Sequence, residues 1–105
     1  PTMSPACSDE EKYVVVERIV ANFKAKAAEG AIVAGRKIID VNTVNGVRFT
    51  LDGGAWGLVR ASSNTPNLVI VVESPDSADD VKAIFAAIKD ELSRHPEIGA
   101  FDQEL

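Results

Sequence analysis

The stretch Gly57-Leu58-Val59-Arg60-Ala61-Ser62-Ser63-Asn64-Thr65-Pro66 gathers the groups in this sequence best suited to holding an anion. Arg60 offers a planar, permanently charged fork that can bond two phosphate oxygens at once. The hydroxyls of Ser62, Ser63 and Thr65 and the amide of Asn64 are neutral donors. A turn at this point also exposes backbone N–H groups that form an anion nest. Each charge-assisted hydrogen bond contributes about 1.5–3 kcal/mol net and each neutral one less, so the set can hold a phosphoester with modest affinity. The same residues also make an ordinary polar turn beside a solvated strand-end arginine. Composition alone leaves both readings open.

These residues need a scaffold, and the hydrophobic pattern supplies one. Residues 1–7, with two prolines and small side chains, read as an interdomain linker. Ser8-Asp9-Glu10-Glu11 reads as a capping box opening a helix over about 9–28. Val16, Ile19, Val20, Phe23 and Ala27 lie at helical spacing, and Gly30 is the stop. The run Val14-Val15-Val16 works against that helix, because β-branched residues favour strands. Residues 36–44 read as a strand, Asn45-Gly46 as a hairpin turn, and 47–52 as a second strand. In that second strand Val47, Phe49 and Leu51 face one way and Arg48, Thr50 and Asp52 the other, as in a sheet covered on one face. After Gly53-Gly54 come a third strand, 55–61, the polar loop 62–66, and a nearly continuous apolar strand, 67–73.

Ser74-Pro75-Asp76-Ser77 opens a second helix, with Val81, Ile84, Phe85, Ile88 and Leu92 on one stripe and an end at His95-Pro96. The expected fold is α+β: a four-stranded antiparallel sheet with both helices on one face, order α-β-β-β-β-α, TBP-like. The domain spans 8–96, and 97–105 form an acidic, partly ordered tail whose Ile98 and Phe101 dock on the body.

The chain has 105 residues, which is enough for one domain with its own core. Its net charge of −5 argues against nucleic-acid binding and against attachment to a membrane surface. No stretch reaches the ~20 apolar residues of a membrane span, and no signal peptide is visible, so a cytoplasmic protein is expected. The start, Pro1-Thr2-Met3, reads as a cut at a linker in a longer chain.

Other candidates have plainer readings. A single cysteine, Cys7, excludes an internal disulfide and reads as a spare thiol near a chain end. Trp56 between glycines fills core or an interdomain seam rather than stacking on a sugar. Gly53-Gly54 lacks the lysine and strand–helix context of a nucleotide loop. Asp79-Asp80 and Glu10-Glu11 complement helix dipoles without any metal. His95 reads as a surface residue or C-cap, and Arg48 as a solvated charge on the open face unless the fold brings it into a basic rim near the phosphate.

The segment 46–73, GVRFTLDGGAWGLVRASSNTPNLVIVVE, resembles the closing domain, domain 4, of the α-D-phosphohexomutase superfamily. Members carry a G-V-R strand, then W-G-L-V-R-A-S, a short polar loop, proline and an apolar strand ending in Glu, with a helix on either side. The resemblance runs from about Ser8 to the tail and is nearest to the bacterial phosphomannomutase/phosphoglucomutase branch. It implies that Arg60 and Ser62 grip the phosphate of the sugar phosphate that is not being transferred, and that the domain helps close the active-site cleft. Ser63 stands where the family usually has Asn or Gly, and Asn64 where it usually has Thr. The family's Gly version of the loop is absent, which argues against the phosphoglucosamine branch.

The phosphoserine loop (T-A-S-H-N-P), the metal loop (D-x-D-x-D-R) and the sugar-reading loop (G-E-x-S-G-H) are not in this sequence. The resemblance places them in upstream domains of the same chain. It implies an isomerase acting by intramolecular phosphoryl transfer on mannose or glucose 1-/6-phosphate. Mg²⁺ and a hexose 1,6-bisphosphate activator belong to the full-length enzyme. No catalytic or metal-binding residue and no cofactor is expected in this domain, which should be inactive alone. The competing reading is a free-standing interaction module that uses the open sheet face against a protein partner.

Overall fold

The computed structural model describes residues 2–75 and 77–99. Helix α1 spans Lys12–Glu29 and helix α2 spans Ala78–Leu92. The strands are β1 (Thr2–Met3), β2 (Ile32–Val33), β3 (Arg36–Asn42), β4 (Val47–Leu51), β5 (Trp56–Ala61) and β6 (Leu68–Glu73). They form one antiparallel sheet in the order β1-β6-β5-β4-β3-β2.

The α+β class and the antiparallel sheet are as expected, but the sheet has six strands rather than four. The two additions are two-residue edge strands, too short to show alternation in the sequence. Thr2 and Met3 pair with Val71 and Ile70. Ile32 and Val33 pair with Lys37 and Arg36 across the turn at Ala34-Gly35. The segment read as linker continues along β6: Ala6 bridges Asn67, and the Leu68 amide donates to the Pro5 carbonyl at 2.9 Å.

One face of the sheet carries the core. Val47, Phe49, Leu51, Val59, Leu68, Ile70 and Val72 are fully buried there, in the strand alternation the sequence shows. Helix α1 covers them with Val15, Ile19 and Phe23, and α2 with Ile84, Phe85, Ile88 and Leu92, so both helices lie on the same side. Phe23 and Phe49 stack with ring centroids 4.5 Å apart. Gly57 makes room for that pair. A Cβ at this position would stand 2.6 Å from Phe49 Cζ and 3.2 Å from Ile88 Cδ1.

Helix boundaries shift for identifiable reasons. The Ser8 hydroxyl donates to the Glu11 carboxylate at 3.0 Å instead of accepting an amide. The Ser8 carbonyl takes the amides of Glu11 and Lys12, so a separate turn precedes the helix and α1 begins at Lys12. At the other end Gly30 adopts the left-handed conformation, with Gly30 N to Ala27 O at 3.3 Å and Ala31 N to Lys26 O at 2.9 Å. Helix α2 is capped by Ser77, whose side chain accepts the Asp80 amide at 3.2 Å. It ends at Leu92, before His95-Pro96, and the chain turns on through hydrogen bonds from His95 N to Leu92 O and from Ile98 N to His95 O.

That turn overturns the surface reading of His95. Its ring is buried and meets Glu91 Oε2 at 2.8 Å. Glu91 is fully buried and also accepts from Asn22 Nδ2 of α1 at 2.7 Å. Arg18 of α1 pairs with Glu97, and Cys7 bridges Ile98, so the chain beyond α2 is fastened to α1 and to the leading segment. Ile98 is part-buried against the core, while Phe101 lies outside the described residues. Cys7 is buried, and burial followed by the charges of Glu11 and Glu97 pushes its thiol above the ordinary value, which suits an inert thiol.

Candidate functional site

Strand β5 positions the site. Trp56, Leu58 and Arg60 alternate onto the face away from the helices, all part-exposed, while Gly57 and Val59 point into the core. Pairing continues one residue past β5, because the Ser62 amide donates to the Asn67 carbonyl at 2.9 Å. That keeps Ser62 in phase with Arg60.

The loop then folds on itself. Ser62 Oγ lies 3.0 Å from Thr65 Oγ1 and accepts the amides of Asn64 and Thr65, each at 3.3 Å. Ser63 and Asn64 stand at the exposed tip of this turn. The hydroxyls and amides of Ser62, Asn64 and Thr65 are therefore gathered in one tight turn, where they serve one another. At 3.3 Å the amide bonds to Ser62 Oγ are long, and a stronger acceptor can take them.

A charge missed in the sequence supports the turn from beneath. Lys12, almost fully buried, donates from Nζ to the Thr65 carbonyl at 3.0 Å and pairs with Asp9 at 2.7 Å. In the sequence it resembles any charged residue of a first helical turn. Its one signal is periodicity: Lys12 falls on the same stripe as Val16, Ile19 and Phe23. A hydrogen bond from a charged group contributes about 1.5–3 kcal/mol. Lys12→Met is therefore expected to leave the domain folded and to raise amide hydrogen exchange at residues 62–65 by roughly tenfold or more. Unchanged protection at those amides would show that the turn holds itself.

Arg60 does not reach across the turn. Its Nη1 makes a long contact, 3.4 Å, to the Ala61 carbonyl. The side chain lines a cavity of about 320 Å³ on the open face of the sheet, together with Asn42, Asn45, Arg48, Trp56 and Leu58. None of Ser62, Ser63, Asn64 or Thr65 lines that cavity. The structure thus places the arginine at the cavity and the donors in the adjoining turn.

The β3–β4 hairpin forms the rim. Asn42 Oδ1 accepts the Val44 amide at 3.0 Å, which turns the chain two residues earlier than the expected strand end and leaves Val44 91% exposed. Of the Asn45-Gly46 pair only Gly46 has positive φ, so the turn is not the two-residue type that this dipeptide suggested. Gly46 sits against β5, where a Cβ would come 2.1 Å from the Val59 carbonyl oxygen and 2.8 Å from Arg60 Cα. Only a glycine lets the hairpin lie this close to Arg60.

Arg48 is exposed on the open face, as expected, and Trp56 is not part of the core. The Arg48 guanidinium lies over the Trp56 ring, 4.1 Å from its centroid, and both face the cavity rather than the core. Asp80, read as a dipole charge at the start of α2, also pairs with Arg36 at 3.0 Å and accepts from Ser74 at 2.8 Å. Among the described residues, no group of three or more His, Cys, Asp or Glu side chains is arranged to hold a metal ion. No helix among them is long and apolar enough to cross a membrane.

Residues 7–91 match the family described as phosphoglucomutase/phosphomannomutase, C-terminal domain. The chain belongs to that family. Relatives of this C-terminal domain are mutases. A probable phosphoglucosamine mutase of Methanothermobacter thermautotrophicus is 37% identical over 67 residues, which are 64% of this chain and 13% of that protein. A phosphopentomutase of Thermococcus kodakarensis is 33% identical over 69 residues, 66% of the chain and 14% of that protein. A phosphomannomutase/phosphoglucomutase of Pseudomonas aeruginosa is 28% identical over 92 residues, 88% of the chain and 17% of that protein. The chain thus spans less than a fifth of the length of the relatives it matches. Their names differ in the sugar, and one is a probable phosphoglucosamine mutase, so the loop-based argument against that branch finds no support in these relatives.

Proposed function

We propose that this C-terminal domain binds the non-transferred phosphate of a phosphosugar and helps close the cleft of a phosphohexomutase during intramolecular phosphoryl transfer. One observation carries the reading. Arg60, at the end of β5 and beside the Ser62–Thr65 turn, faces an open cavity and has no carboxylate partner among the described residues. In a chain with 16 Asp and Glu against 11 Lys and Arg, an unneutralised guanidinium facing a cavity fits an anionic guest.

In this reading Arg60 supplies the charged fork, and Ser62, Ser63, Asn64 and Thr65 supply neutral donors once the phosphate replaces Ser62 Oγ as acceptor for the amides. The domain would contribute positioning, which is much of what phosphoryl transfer requires. The phosphoserine, the Mg²⁺ and the hexose 1,6-bisphosphate intermediate would belong to other parts of the mutase. Among the described residues the carboxylates are not grouped to hold a metal ion. Mannose or glucose 1-/6-phosphate is the proposed ligand, and the domain alone would be inactive. Cytoplasmic location is part of the same proposal.

The test is an NMR titration of the chain with glucose 6-phosphate, with glucose as the uncharged control. Saturable shifts are expected at residues 60–66, with Kd on the order of 1 mM, and none with glucose. Shifts that ignore the phosphate would reject the assignment.

A further inference from the structure

We infer that Arg48, braced on Trp56, is a second guanidinium for the same phosphate ester, which would sit at the Arg60 end of the open-face cavity, with Arg48 on one side and, on the other, the adjoining Ser62–Thr65 turn, whose donors would swing from one another to the phosphate. The inference rests on the phosphate-binding reading above and extends it to residues that reading leaves out.

The other three arginines are each neutralised: Arg18 by Glu97, Arg36 by Asp80 and Arg94 by Asp90. Arg48 and Arg60 have no such partner among the described residues, and both line the same cavity. Two bare like charges facing one space repel each other, and a dianion between them relieves that repulsion.

Register explains the spacing. Arg48 pairs with Leu58, so Trp56 and Arg60 are its two diagonal neighbours on the open face. The side chain takes the Trp56 diagonal, with the guanidinium 4.1 Å from the ring centroid. This leaves the space above Leu58 clear, with Arg48 on one side and Arg60 on the other. Stacking uses the flat face of the guanidinium and leaves its in-plane N–H donors available. Trp56 therefore orients the fork without consuming its hydrogen bonds, which lowers the ordering cost of binding.

The rim suits an ester better than a bare anion. Asn42 spends its carbonyl oxygen on the Val44 amide, which leaves its NH₂ for a guest, and Asn45 stands beside it. A volume of about 320 Å³ is at the small end of the range for small-molecule sites, roughly 300–1,000 Å³. It has room for a phosphate and part of the attached hydroxylated carbon skeleton.

The experiment titrates the chain, Arg48→Ala, Arg48→Lys, Trp56→Leu and Arg60→Ala with glucose 6-phosphate and with inorganic phosphate at low ionic strength. Kd is read from amide and arginine side-chain shifts. Arg48 is exposed, so Arg48→Ala should keep the native spectrum even if Trp56→Leu does not fold. Arg48→Ala is expected to raise the Kd for glucose 6-phosphate at least tenfold. Arg48→Lys should weaken binding less, because the charge survives without the fork.

If Arg60→Ala abolishes binding while Arg48→Ala binds like the parent chain, this inference is overturned and the role of Arg60 stands. Absence of binding by the parent chain overturns both. Binding of inorganic phosphate but not of glucose 6-phosphate overturns the ester assignment.

Discussion

Replacing Arg60 by alanine in the full-length protein, assayed for the mutase activity proposed above, is expected to lower kcat/KM by roughly 100- to 1,000-fold. The magnitude follows from the bonds lost. A bidentate arginine makes two charge-assisted hydrogen bonds, each contributing about 1.5–2 kcal/mol, so about 3–4 kcal/mol of transition-state stabilisation disappears. Each 1.36 kcal/mol is a factor of ten in rate. Arg60 is part-exposed and holds no ion pair in the described residues, so the substitution should not unfold the domain. Arg60→Lys separates charge from geometry. It keeps the charge but not the planar fork, and a loss of roughly tenfold is expected. Steady-state kinetics on mannose and glucose 1-phosphates, with circular dichroism as the folding control, decide the matter. A folded Arg60→Ala enzyme with parental kcat/KM would remove Arg60 from the site.

The second large effect concerns stability and lies on the opposite side of the sheet. Glu91 is fully buried, and its Oε2 holds together Asn22 of α1 and His95 of the turn after α2. Its Oε1 lies 3.6 Å from Lys26 Nζ and has no hydrogen bond. Glu91→Ala would strand the buried His95 ring, remove the acceptor of Asn22 and open a cavity beside them. A loss of about 3 kcal/mol, roughly 15 °C in Tm for a domain of this size, is expected. Glu91→Gln keeps an acceptor for Asn22 and should lose less.

The same carboxylate makes stability depend on pH. Burial pushes its pKa up, but the hydrogen bonds from Asn22 and His95 and the charge of Lys26 outweigh burial and hold it below the ordinary 4.5. A carboxyl with a depressed folded-state pKa contributes its full stabilisation above its ordinary value. That contribution is lost as pH falls below 4.5 through the folded-state pKa. Urea unfolding of the parent chain and Glu91→Gln between pH 7 and pH 3 should therefore converge at the acid end. Parallel curves over that range would show that Glu91 is not the linked group.

Both effects depend on placement, and placement was only partly legible in the residues. Period-two alternation in β4 and β5 and the helical stripes of Val16-Ile19-Phe23 and Ile84-Ile88-Leu92 determined the α+β class, the antiparallel sheet and the shared helix face. A strand or helix that buries one face must repeat its apolar residues at its own period. The chemistry of Arg60 and the Ser62–Thr65 turn was legible too, because residue type fixes what a side chain can donate or accept. Contacts between distant segments were not. The strand pairing of Thr2 and Met3, the burial of Lys12 and His95, and the stack of Arg48 on Trp56 have no local pattern to announce them. They arise when a strand register or a helix docking sets one element against another, across eight positions for Arg48 and Trp56 and across 53 for Lys12 and Thr65, and no local propensity encodes that. The sequence alone determined which groups could bind a phosphate. The tertiary structure decided that Arg60 faces a cavity beside Arg48, because the pleat and register put both on the open face by the β3–β4 hairpin, while the hydroxyls occupy the next turn, because the chain folds back at Ser62 onto its own amides.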